Sequence, residues 1–187
     1  MSFLPLALGG PLFLYPVHVV FLEFVIDPAC TLVYEAERTE AGAMERPPRD
    51  PQEPLFNLRM LAASLALGLT MLGAVFAAYW WALEGGRSES EARTVAFAAI
   101  VLSNLALLFA TRSRTRTVLA TLREPNAALW VITLGALAAL GAAIYVPAAA
   151  AIFRFSPLGA TELTVAAAAG LAGVAWVELL KLTGRAQ

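Results

Sequence analysis

Charged residues are scarce in this chain. They make up 14% of its 187 residues, whereas 59% are hydrophobic; soluble globular domains carry about 25% charged residues. A chain of this size that folded in water would need more charge to cover its surface, whereas a chain in lipid needs charge only in loops and at helix ends. The composition therefore predicts an all-α, polytopic transmembrane helical bundle whose main partner is the lipid bilayer.

Cysteine and histidine are each represented once, by Cys30 and His18. One cysteine forms no disulfide within the chain, and no Cys/His pair has the spacing of a zinc site. Lys and Arg number 13 against 14 Asp and Glu, so the net charge is -1 and no basic field attracts nucleic acid. These shortages exclude a disulfide scaffold, a Cys/His zinc site and nucleic acid as a partner.

Long apolar runs separated by charged loops predict the membrane spans. A hydrocarbon core about 30 Å thick needs roughly 20 apolar residues per helix. Residues 1–10 are too few to cross, and Gly9, Gly10 and Pro11 end that helix. We therefore expect about five full spans plus an N-terminal partial helix, with the spans at 16–36, 57–83, 94–111, 126–146 and 161–181.

The distribution of Lys and Arg predicts the orientation. The segments 37–59, 112–125 and 181–187 hold ten of the 13 Lys and Arg residues, and the opposite loops hold three. Cytoplasmic loops carry the excess of positive charge. The C-terminus and the loop at 37–56 are therefore predicted to be cytoplasmic.

Small residues four apart predict helix contacts, because close approach drives helix association in lipid. The candidate positions are the pairs Ser64 and Gly68, Gly73 and Ala77, and Gly135 and Ala139, together with the Ala/Gly-rich run at 166–175.

Two carboxylates interrupt the apolar span at 16–36. A carboxylate at the bilayer centre costs about 2.5–3.5 kcal/mol on insertion scales, so such residues indicate function. Glu23 and Asp27 are four apart and share a helical face. Pro28 has no N–H to bond the carbonyl of Phe24, and its ring opens that turn. Glu23, Asp27 and the backbone carbonyl of Phe24 are thus candidate ligands of a hard metal cation.

Two other interpretations of these residues are open. Asp27 could cap a second half-helix that begins at Pro28, which explains Asp27 but not Glu23. Glu23 could instead be protonated and bonded to a neighbour. We expect His18 to be an interfacial or packing residue and Cys30 a small core residue.

The stretch from Pro16 to Phe56 resembles the sixth membrane helix and following cytoplasmic loop of cation-transporting P-type ATPases, the group that contains the calcium pumps. The loop sequence Met44-x-Arg46-Pro47-Pro48-Arg49-x-Pro51 carries this likeness. The later spans resemble the last four helices in number and spacing. The resemblance covers the whole chain, 1–187, as the C-terminal transmembrane domain of such a pump.

The resemblance implies a share in a cation site. The acidic ligand of the sixth helix corresponds to Asp27, and Glu23 falls where calcium pumps usually have an asparagine ligand. Ile26 and Pro28 stand in place of a threonine and a glycine, and Val101 falls roughly where some pumps carry a further acidic ligand. The resemblance implies calcium as the leading transported ion, with manganese, magnesium or a monovalent ion open.

The DKTGT motif, whose aspartate is phosphorylated in P-type pumps, does not occur in this sequence. We therefore expect no ATP or Mg site in this chain and no ATP hydrolysis by it alone. The resemblance implies a fragment in a bacterial plasma membrane, partnered by the N-terminal portion of the pump if that is separately encoded. The alternatives are a non-catalytic subunit or assembly partner of a split pump, and a stand-alone membrane protein of unknown role.

Overall fold

The computed structural model describes residues 13–37, 58–112, 117–121 and 126–182. The predicted partial helix at 1–10 lies outside these residues, as does the predicted loop at 37–56 apart from Glu37. In the described part all regular structure is helical, which confirms the all-α class. The elements are α1 (Pro16–Phe21), a π-helical segment (Leu22–Ile26), α2 (Asp27–Glu35), α3 (Leu58–Glu84), α4 (Glu89–Thr111), α5 (Val118–Thr121), α6 (Ala127–Tyr145), α7 (Pro147–Phe153) and α8 (Ala160–Leu182).

Five helical stretches of the described chain are long and apolar enough to cross a membrane, as predicted. They are Pro16–Glu35, Met60–Glu84, Glu89–Thr111, Ala127–Tyr145 and Ala160–Leu179. Successive spans alternate in direction. We call the end of the bundle where α1, α4 and α8 begin the Tyr15 end, and the opposite end, where α4 finishes, the Arg112 end.

Helix α4 lies at the centre of the bundle. Ten consecutive residues, 92–101, are buried in it, and it contacts α3, α6, α8 and the π segment. It begins at Glu89, earlier than the predicted start at 94, because Ser88 caps it. The Ser88 hydroxyl accepts from the Glu91 N–H at 3.3 Å, and the Glu91 carboxylate accepts from the Ser88 N–H at 2.8 Å. This capping box pairs donors that a helix start otherwise leaves open.

The close helix contacts involve the Ala/Gly-rich run of α8 and not the small-residue pairs of α3 and α6. A Cβ added to Gly170 would lie 2.9 Å from the Leu102 Cβ and 3.0 Å from the Ser103 N, and one at Gly173 would lie 3.0 Å from the Met71 Cα. A Cβ at Gly68, Gly73 or Gly135 would meet no atom within 4 Å. Within the described residues the predicted contacts at those three glycines are therefore not formed, although Ala139, the partner of Gly135, packs against the core.

Ion pairs sit at both ends of the bundle. At the Arg112 end the buried Arg112 guanidinium donates to both carboxylate oxygens of Glu37, at 2.8 and 2.9 Å, and to the Thr121 carbonyl at 3.0 Å. Asn126 also donates to Glu37, at 3.1 Å. These bonds tie the end of α2 to the residues around α5 and α6. The Arg112 guanidinium holds the pKa of the Glu37 carboxyl below its ordinary value of 4.5.

We expect Gly170→Ala to lower the free energy of unfolding by about 1–3 kcal/mol, because the added Cβ overpacks against the backbone of α4. The matched control is Gly135→Ala, where the space is open and the better helix propensity of alanine favours the fold slightly. Reversible unfolding in detergent–SDS mixtures measures both. Equal effects of the two substitutions would contradict the packing described for α8.

We expect the stability of the protein to depend on pH through Glu37. Its lowered pKa stabilises the fold above pH 4.5, and that contribution is lost as the pH falls further and the carboxyl takes up a proton. Glu37→Gln removes a hydrogen bond between charged groups, so it should lower the free energy of unfolding by about 1–3 kcal/mol at pH 7. The variant should also lose less stability than the unmodified chain as the pH falls below 4.5. Unfolding measured from pH 7 to 3 tests this. Glu84→Gln, at the other end of the bundle, should lose as much stability at low pH as the unmodified chain.

Candidate cation site

The span that carries Glu23 and Asp27 stays helical throughout but changes its hydrogen-bond register in the middle. The backbone is right-handed helical at Leu22 (φ -63°, ψ -47°) and at Ile26 (φ -85°, ψ -46°). Between them, Leu22–Ile26 forms a π-helical segment, in which bonds run from residue i to i+5 instead of i+4. Single π turns inside α-helices are frequent at functional sites.

Pro28 explains why the register changes here. In an α-helix the N–H of residue 28 would bond the Phe24 carbonyl, and in a π-helix the Glu23 carbonyl; proline has no N–H for either. A proline inside a regular α-helix also crowds the carbonyl four residues earlier, and a π turn is wider than an α turn. The backbone carbonyls of Glu23 and Phe24 therefore accept no hydrogen bond from residue 28.

The backbone does not favour Asp27 as the cap of a separate half-helix. A capping residue adopts a non-helical, extended backbone, as Tyr15 does before α1 (ψ 161°) and Val146 before α7 (ψ 118°). Asp27 is itself the first residue of α2, and Ile26 before it is helical. The side chain of Asp27 lies outside the described part of the chain.

Glu23 lies on the open face of its span. Its side chain is exposed, and so are Val19, Val20 and Phe24, the last at 79%. Among the described residues no side chain or N–H donates to the Glu23 carboxylate. The interpretation in which a neighbour bonds a protonated Glu23 thus has no such neighbour in this part of the chain.

The opposite face of the span is anchored by His18. The imidazole is fully buried against the rings of Phe97, Phe153 and Phe155, with the Phe155 centroid at 4.9 Å. Its Nδ1 accepts from the Tyr15 N–H at 3.0 Å, so Nε2 carries the hydrogen and donates to the Phe153 carbonyl at 2.8 Å. His18 is a packing residue that orients the span and leaves Glu23 on the open side.

The described residues do not complete a metal site by themselves. No three of their His, Cys, Asp and Glu side chains lie close enough together to hold an ion. Val101, at the position where some pumps have an acidic ligand, is a fully buried core residue of α4. Cys30 is half-buried and packs against two groups of buried apolar residues, the large core around α4 and a small group formed by Val33, Leu108 and Leu129.

Sequence reasoning missed the π-helical segment and expected a broken helix instead. The sequence held two opposing signals: Pro28 lies inside an apolar span, and Asp27 before it is a residue that favours a turn. In lipid a widened helix keeps backbone hydrogen bonds that an open turn would leave without donors, and the structure has the widened form.

We expect Pro28→Ala to restore the regular α-helical register and to raise the free energy of unfolding by about 1 kcal/mol, the net value of a regained backbone hydrogen bond. Unfolding in detergent–SDS mixtures measures the change. Pro147→Ala is the matched control, because Pro147 begins α7 after an extended residue and its N–H would have no helical partner. A stabilisation of the same size in both variants would contradict the role given to Pro28.

Comparison with known proteins adds an independent observation. The family model described as "Cation transporting ATPase, C-terminus" matches residues 11–183. The "Probable cation-transporting ATPase F" of Mycobacterium tuberculosis (strain ATCC 25618 / H37Rv) is 32% identical over 111 residues, which cover 59% of this chain and 12% of that protein.

Two relatives named as calcium transporters also match. The "Calcium-transporting ATPase type 2C member 2" of Rattus norvegicus is 24% identical over 168 residues, 88% of this chain and 18% of that protein. The "Calcium-transporting ATPase" of Bacillus subtilis (strain 168) is 27% identical over 112 residues, 58% of this chain and 12% of that protein. The chain thus spans less than a fifth of the length of these relatives.

Proposed function

Since the chain belongs to the cation-transporting ATPase C-terminus family, we propose that it lines part of the ion path of a P-type pump, with Glu23, Asp27 and the Phe24 carbonyl as cation ligands. The resemblance to the membrane part of P-type ATPases is confirmed by the family match over residues 11–183.

The observation that carries the proposal is a carboxylate exposed in the middle of an apolar span, beside a helix turn widened by proline. At 1.5 Å per residue, Glu23 lies about 10 Å and Asp27 about 16 Å along a span that must cross about 30 Å. A carboxylate at this depth is costly in lipid. Its cost is offset when a cation and further oxygen ligands cover it.

Oxygen ligands favour a hard cation, and two observations favour calcium. Ca²⁺ takes six to eight oxygens, including carboxylates and backbone carbonyls, in flexible geometry. The rat and Bacillus relatives are named as calcium transporters, whereas the mycobacterial relative is named only for cations. We therefore propose calcium first, and manganese, magnesium or a monovalent ion as the alternatives that a binding series distinguishes.

The open face around Glu23 indicates what kind of partner would cover it. Val19, Val20 and Phe24 are apolar and exposed beside the carboxylate, a surface suited to packing against further membrane helices. We propose that the N-terminal portion of the pump supplies those helices, the remaining ligands and the ATP-hydrolysing domains.

We propose that the Arg112 end faces the cytoplasm of a bacterial cell. The Lys and Arg excess lies in the segments that join the spans at that end, and cytoplasmic loops carry this excess. The chain would then share a plasma membrane location with the pump portion that contains the phosphorylated aspartate.

We expect the chain in lipid nanodiscs to bind Ca²⁺ weakly, because its own residues offer only part of a coordination shell. Glu23→Gln and Asp27→Asn should each weaken binding at least tenfold, since each removes a charged ligand. Isothermal titration calorimetry with Ca²⁺, Mn²⁺, Mg²⁺ and K⁺ measures affinity and preference.

The matched control is Glu35→Gln, which removes an exposed carboxylate from the Arg112 end of the same span. Its affinity for Ca²⁺ should equal that of the unmodified chain. Unchanged binding in Glu23→Gln and Asp27→Asn, or an equal loss in all three variants, would overturn the ligand assignment.

A further inference from the structure

A pocket of about 550 Å³ opens at the Tyr15 end of the bundle, remote from Glu23. Three parts of the chain meet there: the residue before α1, the first turns of α4, and the segment from the end of α7 to Ser156. The pocket is lined by Tyr15, Ser88, Glu89, Ser90, Arg93, Ala150, Ala151, Arg154, Phe155 and Ser156.

Two guanidinium groups converge on one aromatic ring in this pocket. The guanidinium carbons of Arg93 and Arg154 each lie 4.8 Å from the centroid of the Tyr15 ring. Arg154 also donates to the Tyr15 hydroxyl, and Arg93 to the Arg154 carbonyl, both at 3.4 Å. Arg93 is buried and Arg154 is exposed. The two positive charges form a site for an anion that reaches from a buried wall to the mouth.

Serine hydroxyls continue the polar wall. The Ser90 and Ser156 hydroxyl oxygens lie 2.7 Å apart, and those of Ser88 and Ser90 lie 3.1 Å apart. Glu91 is engaged in the capping bonds to Ser88. Glu89 is the carboxylate that lines the pocket, so two arginines face one acid there. The Ser88 hydroxyl donates to the Glu91 carboxylate at 2.8 Å, so the three serines form a chain of hydrogen bonds that uses their own hydrogens. The guanidinium groups are the donors in this pocket that suit phosphate oxygens.

The backbone conformation of Arg154 also supports a role for its side chain in the pocket. It is the non-glycine residue of the described chain with positive φ, at φ 52° and ψ 45° where α7 ends. The left-handed conformation is unfavourable for an L-residue, and glycine is the residue that usually ends a helix in this way. An arginine there gives up stability and places a guanidinium at the mouth of the pocket.

The position of the pocket identifies the anion. The span Pro16–Glu35 begins next to Tyr15, and the span Glu89–Thr111 begins inside the pocket, so the pocket lies at the membrane boundary where headgroup phosphates lie. Arginine forks match phosphate oxygens in pairs, and long basic side chains near the ends of membrane helices reach the headgroup region. We propose that Arg93 and Arg154 bind the phosphate of a phospholipid headgroup.

Native mass spectrometry of the chain released from phosphatidylglycerol nanodiscs tests the proposal. We expect bound phospholipid on the unmodified chain and at least a fivefold smaller retained fraction in Arg154→Gly. Glycine keeps the left-handed backbone without strain, so the fold is preserved, and Arg154→Asn provides a second variant that tolerates this conformation. Arg87→Gln is the control, because Arg87 pairs with Glu162 at the same end of the bundle but outside the pocket.

A second experiment distinguishes the phosphate of a lipid headgroup from free inorganic phosphate. Titration of the detergent-purified chain with inorganic phosphate, followed by intrinsic fluorescence, should show no saturable binding at millimolar concentration. Saturable binding that Arg154→Gly abolishes would replace the lipid by free phosphate and overturn the headgroup assignment. Equal lipid retention in the unmodified chain, Arg154→Gly and Arg154→Asn would overturn the site itself.

Discussion

Inside a bilayer no water is available to bond the backbone, so every N–H and C=O of a spanning segment must find its partner within the protein. This constraint accounts for the uniformly helical structure of the described residues and for the capping of α4 by Ser88, where the chain enters its span. It also accounts for the π segment at Leu22–Ile26. There the helix meets a proline and its hydrogen bonds lengthen from i+4 to i+5, so that most backbone bonds are kept and backbone carbonyls lose their donor at one place.

The span from Pro16 to Glu35 has two faces with different roles. Buried rings hold His18 on one side, and its imidazole bonds the chain at Phe153 near the end of α7. The other side carries Glu23 among exposed apolar residues. Anchoring one face rigidly while leaving the acidic face uncovered presents the carboxylate to whatever packs there. A pump needs such an arrangement, since its ligands must come from several helices around one ion.

Composition and charge placement were sufficient for the class, the number of spans and the candidate acids, because the energetic cost of charge in lipid is large and local in sequence. Small-residue spacing was a poorer guide. Gly68, Gly73 and Gly135 each have a small residue four positions away, which is the spacing typical of helix contacts. The close approaches are nevertheless made by Gly170 and Gly173. The difference lies in which helix face meets a neighbour, and that depends on how all the spans pack together.

The sequence by itself determined that this chain is a helical membrane protein, that Glu23 and Asp27 lie in the middle of a span, and that the span resembles a cation-site helix. These follow from hydropathy, from the absent N–H of Pro28 and from residue identities. Only the tertiary structure decided that the helix widens instead of breaking, that Glu23 is on the open face, and that Arg93 and Arg154 meet at Tyr15. Pro28 alone was compatible with either a widened or a broken helix. The exposure of Glu23 and the meeting of the two arginines depend on contacts between residues far apart in the chain, whose geometry local patterns do not contain.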